Sequence, residues 1–85
     1  MVESVDLVQM QTGQSGVLAF VEGGKGVTCK LDALGIRPGS SVTKISHALG
    51  RGPVVLRVNG TDVALGFGMA KKIRVCVSRN GGGKP

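Results

Sequence analysis

Residues 29–39, Cys-Lys-Leu-Asp-Ala-Leu-Gly-Ile-Arg-Pro-Gly, carry a short helix together with its own stop signal. Val27, Leu31 and Leu34 fall at i, i+4 and i+7, which puts them on one helical face and against a core. Gly35 stands where a helix ends on a residue that tolerates positive φ, and Ile36 is placed to fold back as the apolar partner of such a cap. Pro38 cannot continue a helix, and Pro38-Gly39 turns the chain into the next strand. The spacing predicts a helix from Val27 or Thr28 to Leu34, with Thr28 as its N-cap. On both sides the apolar period changes from 3.6 to 2, so this is one helix plugging a small β fold that cannot close its core alone.

Five strands are expected around it. Gly16–Glu22 alternates, with Val17, Ala19 and Val21 on one face and Leu18, Phe20 and Glu22 on the other. Ser41–His47 has Val42 and Ile45 as its main apolar residues; their even and odd numbers break the alternation and imply a bulge. Val54–Val58 points Val54, Leu56 and Val58 inward. Asn59-Gly60 is a type I′ hairpin signal that joins it to Thr61–Leu65. After a turn or single helical turn over 66–70, Lys71–Val77 closes the set, with Ile73, Val75 and Val77 inward. Residues 78–85 have nothing to bury and read as a basic, disordered tail, which leaves 1–77 as one domain. The fold class is mainly β, a small five-stranded barrel or strongly bent sheet with one short helix.

Charge is divided unevenly. Residues 1–36 set Lys25 and Lys30 against Glu3, Asp6, Glu22 and Asp32, a balance of −2. Residues 37–85 set nine basic residues against Asp62 alone, a balance of +8. Such asymmetry points to an acidic partner, whether nucleic acid, membrane surface or protein, or simply to solubility. The second half has Phe67 as its only aromatic ring, which argues against stacking on single-stranded nucleic acid. The acidic start, Met1 to Asp6, is not a secretory signal, and no window reaches the apolar length of a membrane span. A soluble, cytoplasmic protein is expected, and with it two reduced thiols at Cys29 and Cys76.

No pattern reads as an enzyme. The acidic residues are scattered rather than paired. His47, the only histidine, has no second ligand at metal spacing; it reads as a structural or exposed imidazole, the alternative being a ligand shared with Cys29, Cys76 or another chain. Gly23-Gly24-Lys25-Gly26 lacks the Walker A spacing and reads as a strand-to-helix turn rather than a phosphate cradle. No cofactor and no metal ligand is assigned.

Three blocks in order carry a resemblance. Cys29 to Gly39 resembles a basic-Leu-x-x-Leu-Gly-aliphatic-x-Pro-Gly segment, Gly52-Pro53 to Asn59-Gly60 a Gly-Pro strand and hairpin, and Val63 to Val75 a closing part. Together they resemble the FeoA family, the small cytosolic component of bacterial ferrous iron uptake, over roughly Leu7 to Val77. The resemblance implies an SH3-like barrel that acts with the membrane permease FeoB through its cytosolic G domain. A similar domain closes the C-terminus of iron-dependent repressors; a chain this short is expected to be an adaptor related to that domain rather than a repressor. Cys29, Lys44 and, after Ala64-Leu65, Gly66, Gly68 and Met69 depart from the family pattern, which puts a basic residue at position 29, an aliphatic at position 44 and a polar stretch after Ala64-Leu65.

Residues and resemblance together imply a non-enzymatic accessory that binds and modulates the permease by protein–protein contact. The alternatives are a basic nucleic-acid-binding module and a stand-alone adaptor. Protein interfaces draw energy from a few apolar anchors and on-rate from surrounding charge. The expected anchors are Leu49, Phe67 and Met69, rimmed by Arg51, Lys71 and Lys72. Neither nucleic acid nor direct membrane insertion is expected, and self-association stays open.

Overall fold

The computed structural model describes residues 2–48 and 50–78. The elements are β1 (Val2–Asp6), β2 (Ser15–Val21), α1 (Lys25–Ala33), β3 (Ser41–His47), β4 (Val54–Val58), β5 (Thr61–Leu65), α2 (Phe67–Ala70) and β6 (Ile73–Ser78). The strands form one antiparallel sheet in the order β1-β6-β2-β3-β4-β5.

This corrects the five-stranded barrel in two respects. There is a sixth strand, β1, and the sheet is open, with β1 and β5 at its edges. Val2–Asp6 lacks strict alternation, so periodicity alone passes it over; it forms because β6 offers a ladder from Val2↔Ser78 to Asp6↔Arg74. By pairing outside β6, β1 extends the sheet on the side away from β5. Ser78 belongs to β6 rather than to the expected tail, and the rest of that tail lies outside the described residues.

The helix stop forms as its residues dictate. Gly35 has φ +84. Its N–H donates to Asp32 C=O, and the Ile36 N–H donates to Leu31 C=O, both at 2.9 Å. These two bonds make a Schellman ending, and its characteristic apolar contact joins Leu31 and Ile36, each 1% exposed. Leu34 departs from the expected face: it is 46% exposed. It is the C-cap, with φ −92 and ψ 3, so the chain has already left the helix there and Ile36 fills the place the spacing assigned to Leu34. At the other end the N-cap is Gly24, not Thr28. Thr28 lies inside the helix, and its hydroxyl donates to Gly24 C=O at 3.3 Å.

Two bulges reset the strand faces. One lies between Leu18 and Phe20, so Leu18 is buried while Phe20 is half-exposed, although alternation put them on one face. The other lies between Lys44 and Ser46, in the strand whose mixed parity implied it. It leaves Val42 and Lys44 inward, with Ile45 half-buried. β4 and β6 bury the residues their alternation named, and Asn59 (φ 52) and Gly60 (φ 78) take the two positive values of a type I′ turn.

The core lies between the inner sheet face and α1, with Leu7, Leu18, Leu31, Ile36, Leu56 and Ile73 among its fully buried members. Leu31→Ala is therefore expected to cost ~2–5 kcal/mol in equilibrium denaturation, whereas Leu34→Ala should stay within ~1 kcal/mol. Equal losses at the two positions would contradict Leu31 as the plug. Gly35→Ala should destabilise by ~1 kcal/mol or more despite its higher helix propensity, because the new side chain would have to adopt positive φ.

Candidate docking cluster

One end of the sheet gathers the residues of interest. His47 pairs with Val54, and Val54 with Leu65, so the end of β3, the start of β4 and the end of β5 lie in one row. The loop from β3 to β4 leaves this row, is closed by Ala48 N–H donating to Pro53 C=O at 3.1 Å, and carries Arg51. After β5, Gly66 is extended and caps α2, whose Ala70 N–H returns to Gly66 C=O at 2.9 Å. Phe67 and Lys71 stand at i and i+4, one above the other on α2 and its C-cap.

The Phe67 ring is the meeting point. The Arg51 guanidinium carbon lies 5.8 Å from its centroid and the Lys71 ammonium 5.6 Å, both within cation–π range. The His47 ring sits 6.3 Å away, tilted by 32°. Of the expected docking residues, Arg51, Phe67 and Lys71 are thus brought together. Met69 is half-buried and packs on the core, which makes it a support for Phe67's helix more than an open anchor. Lys72 is exposed, follows Lys71 in sequence and is not one of the ring's partners; its backbone C=O accepts the Glu22 N–H. Leu49 lies outside the described residues.

Three ion pairs neutralise basic residues elsewhere: Arg37 with Asp32, Arg57 with Asp62 and Arg74 with Glu22. Lys44 is buried. Among the described residues from 37 onward, Arg51, Lys71 and Lys72 are the exposed basic side chains left without a carboxylate partner.

Composition does not mark Lys44 as a core residue, although the family pattern puts an aliphatic at its position, and it underpins this end of the sheet. Its side chain is inward and 2% exposed. The ammonium donates to Val8 C=O at 2.9 Å and Met10 C=O at 2.6 Å, and lies 3.4 Å from His47 Nδ1. An ammonium has no lone pair, so Nδ1 is the acceptor in this contact and Nε2 is the ring's other nitrogen. That Nε2 is buried and has no hydrogen-bond partner among the described residues. Burial pushes the Lys44 amine below its ordinary value of 10.5, and nearby Asp6 pulls in the opposite direction. The available signal is parity: two residues after buried Val42, position 44 faces inward in any regular strand.

Among the described residues no three His, Cys, Asp or Glu side chains gather as a metal cluster would, and no helix is long and apolar enough to cross a membrane. Cys29 is exposed, Cys76 half-buried, and neither is bridged.

Comparison with known proteins gives a consistent picture. The FeoA domain model matches residues 5–77. A candidate Fe(2+) transport protein A of Methanocaldococcus jannaschii is 31% identical over 70 residues, spanning 82% of this chain and 83% of its own. The crystal structure of an iron uptake regulatory protein, FeoA, superposes with a TM-score of 0.80 at 29% identity, covering 86% of this chain and 96% of the other. A manganese-dependent transcriptional repressor shares the fold at a TM-score of 0.82 and 18% identity; 92% of this chain overlies 44% of that one.

Lys44→Met should lower stability by ~1–3 kcal/mol, because the Val8 and Met10 carbonyls lose their donor. The pH profile gives a second reading. The unfolded lysine holds its proton to about 10.5, whereas the folded one releases it earlier. The unfolded state therefore binds more protons in that window, and wild-type stability should rise as pH approaches 10.5 from below. Urea denaturation across alkaline pH should show this rise in the wild type and a flatter profile in Lys44→Met. An identical slope in both would remove Lys44 as its source.

Proposed function

This chain belongs to the FeoA domain family, and from that premise we propose that it is a non-enzymatic accessory of ferrous iron uptake that binds the FeoB-type permease at its cytosolic G domain and modulates it. The family works in Fe(2+) transport and has the SH3-like fold described above, here as an open sheet. A small protein of this kind acts through contact, and the contact surface it offers is the end of the sheet around Phe67.

The observation that supports this reading is the focusing of charge. Arg51 and Lys71 converge on one aromatic ring with no carboxylate among the described residues to neutralise them, and Lys72 follows Lys71 in sequence. Exposed cations held over a ring keep an apolar surface and a positive potential in one place. Such a patch suits a protein surface that presents an acidic residue next to an apolar one: charge speeds encounter and the buried ring slows release. The surface of the permease that receives it is accordingly acidic or mixed, and it lies in the cytosol.

The likeness to the repressor domain favours one related alternative, a stand-alone adaptor whose partner is another protein of metal homeostasis. That alternative uses the same surface and differs only in what docks on it. A nucleic-acid module would instead spread phosphate contacts over many cations, whereas three of this chain's arginines are already tied to carboxylates.

Binding of the intact protein to the full-length permease in nanodiscs tests the reading. Arg51→Glu and Lys71→Glu should each slow association about tenfold and weaken its salt dependence. Phe67→Ala and Met69→Ala should mainly speed dissociation. If all four variants keep the wild-type circular dichroism spectrum and bind as wild type does, the docking face is elsewhere. Tight binding to DNA or RNA that collapses with salt would favour the nucleic-acid reading instead.

A further inference from the structure

β5 is an edge strand, and the register of its hairpin says which backbone groups it leaves free. The two-residue turn at Asn59-Gly60 makes Val58 and Thr61 a hydrogen-bonded pair. Every second pair shares that geometry, so Leu56–Val63 and Val54–Leu65 also exchange bonds. The N–H and C=O groups of Asp62 and Ala64 therefore point away from β4. No strand or turn among the described residues pairs with that side of β5.

Free edges are usually guarded by a charge, a proline, a bulge or a covering segment. β5 has no lysine, no proline and no bulge. Its one charge, Asp62, is held in a two-point bond by Arg57, at 2.7 Å to Oδ1 and 3.2 Å to Oδ2, so it does not repel an incoming strand as a lone carboxylate would.

The edge runs straight into the charged cluster. β5 ends at Leu65, Gly66 continues it in extended geometry, and Phe67 comes next with Arg51 and Lys71 on its ring. On the inner side, Val63 is half-buried at the margin of the core and offers an apolar contact to a neighbour.

We propose that β5 is a strand-addition site that takes an extended segment of the partner protein, with an acidic residue at one end set against Arg51 and Lys71. This rests on the docking reading above and supplies its binding mode. Antiparallel pairing is the commoner arrangement and puts the N-terminal end of the incoming segment at the Gly66 end of β5. The segment then has a definite chemistry: an acidic residue first, then apolar residues at alternate positions, those opposite Leu65 and Val63 turning to the inner face. A second copy of this chain fits less well. Each copy carries +6, and at β5 it would present only another Asp62 already bound to Arg57.

Residue-resolved amide exchange on the intact protein tests this. In the free, dilute protein the Asp62 and Ala64 amides should exchange fast. A short synthetic peptide of alternating valine and threonine, with paired glutamates at its N-terminal end, should slow both by about tenfold at saturation. Its counterpart with paired lysines should bind at least about tenfold more weakly. Ala64→Pro should abolish the peptide's binding while preserving the fold, since the lost N–H is not part of the β4 ladder and proline is accepted on an edge facing solvent. Ala64→Lys, which keeps the N–H but guards the edge, should weaken it.

Protection of Asp62 and Ala64 in the free protein, or no protection with the glutamate peptide, or equal protection with the lysine peptide, would overturn the proposal. Protection that grows with protein concentration would assign the edge to a second copy and overturn it too. The full-length permease separates the two readings. If it binds wild type and Ala64→Pro alike, strand addition fails and the docking reading stands. If it binds neither, the docking reading fails and the peptide decides the edge.

Discussion

The buried ammonium of Lys44 is the contact on which the arrangement depends. A charge removed from water is costly unless its hydrogen-bonding capacity is met inside. Here the three donors of one lysine find two backbone carbonyls and an imidazole nitrogen. The carbonyls belong to Val8 and Met10, in the connection between β1 and β2, which has no regular structure to satisfy them. The Lys44 backbone adds two more bonds to the same connection, accepting from Gly13 N–H at 2.7 Å and donating to Gln14 C=O at 3.0 Å. One residue of β3 thus fastens residues 8–14 over the core and lets Leu7 and Met10 be buried without leaving polar backbone unpaired. An aliphatic at position 44 could fill the space and could not do this.

The same lysine reaches the cluster. By occupying Nδ1 it fixes which way the His47 ring faces, and that ring lies against Phe67. The path from the N-terminal connection to the cation-bearing ring is therefore continuous: Val8 and Met10 carbonyls, Lys44, His47, Phe67, then Arg51 and Lys71. If Phe67 is the anchor proposed above, pre-setting it in this way lowers the ordering cost of docking on it.

The local devices of the fold are legible because each rests on a few adjacent residues. The Leu31-to-Ile36 stop, the Asn59-Gly60 turn and the inward faces of β4 and β6 come from glycine's access to positive φ and from period-2 alternation. The features that escape such a reading are those in which one strand answers to another. β1 exists because β6 has a side to cover. Phe20 turns outward because β2 gains a residue against β6, and no property of Leu-Ala-Phe-Val announces that. The barrel remains open for a related reason: whether two edges meet depends on the register of every strand between them. Leu34 falls outside the core through a shift of a single residue at the helix end, where the cap and the periodic face compete for the same position.

Charge shows the same division between linear and spatial information. The sequence places +8 in residues 37–85 but cannot say where it acts. Folding sorts those cations by partner. Asp32 and Glu22, both from the acidic first part, take Arg37 and Arg74; Asp62 takes its cross-strand neighbour Arg57; Lys44 goes inside. Among the described residues from 37 onward, the exposed cations left without a carboxylate are Arg51 and Lys71 on the Phe67 ring and Lys72, next to Lys71 in sequence. The shared fold of transport accessories and repressor domains does not decide between such roles. Under the docking proposed above, Arg51 and Lys71 beside the end of β5 would act on whatever lies along that strand, so one ligand in one orientation would be recognised by side chain and by backbone together.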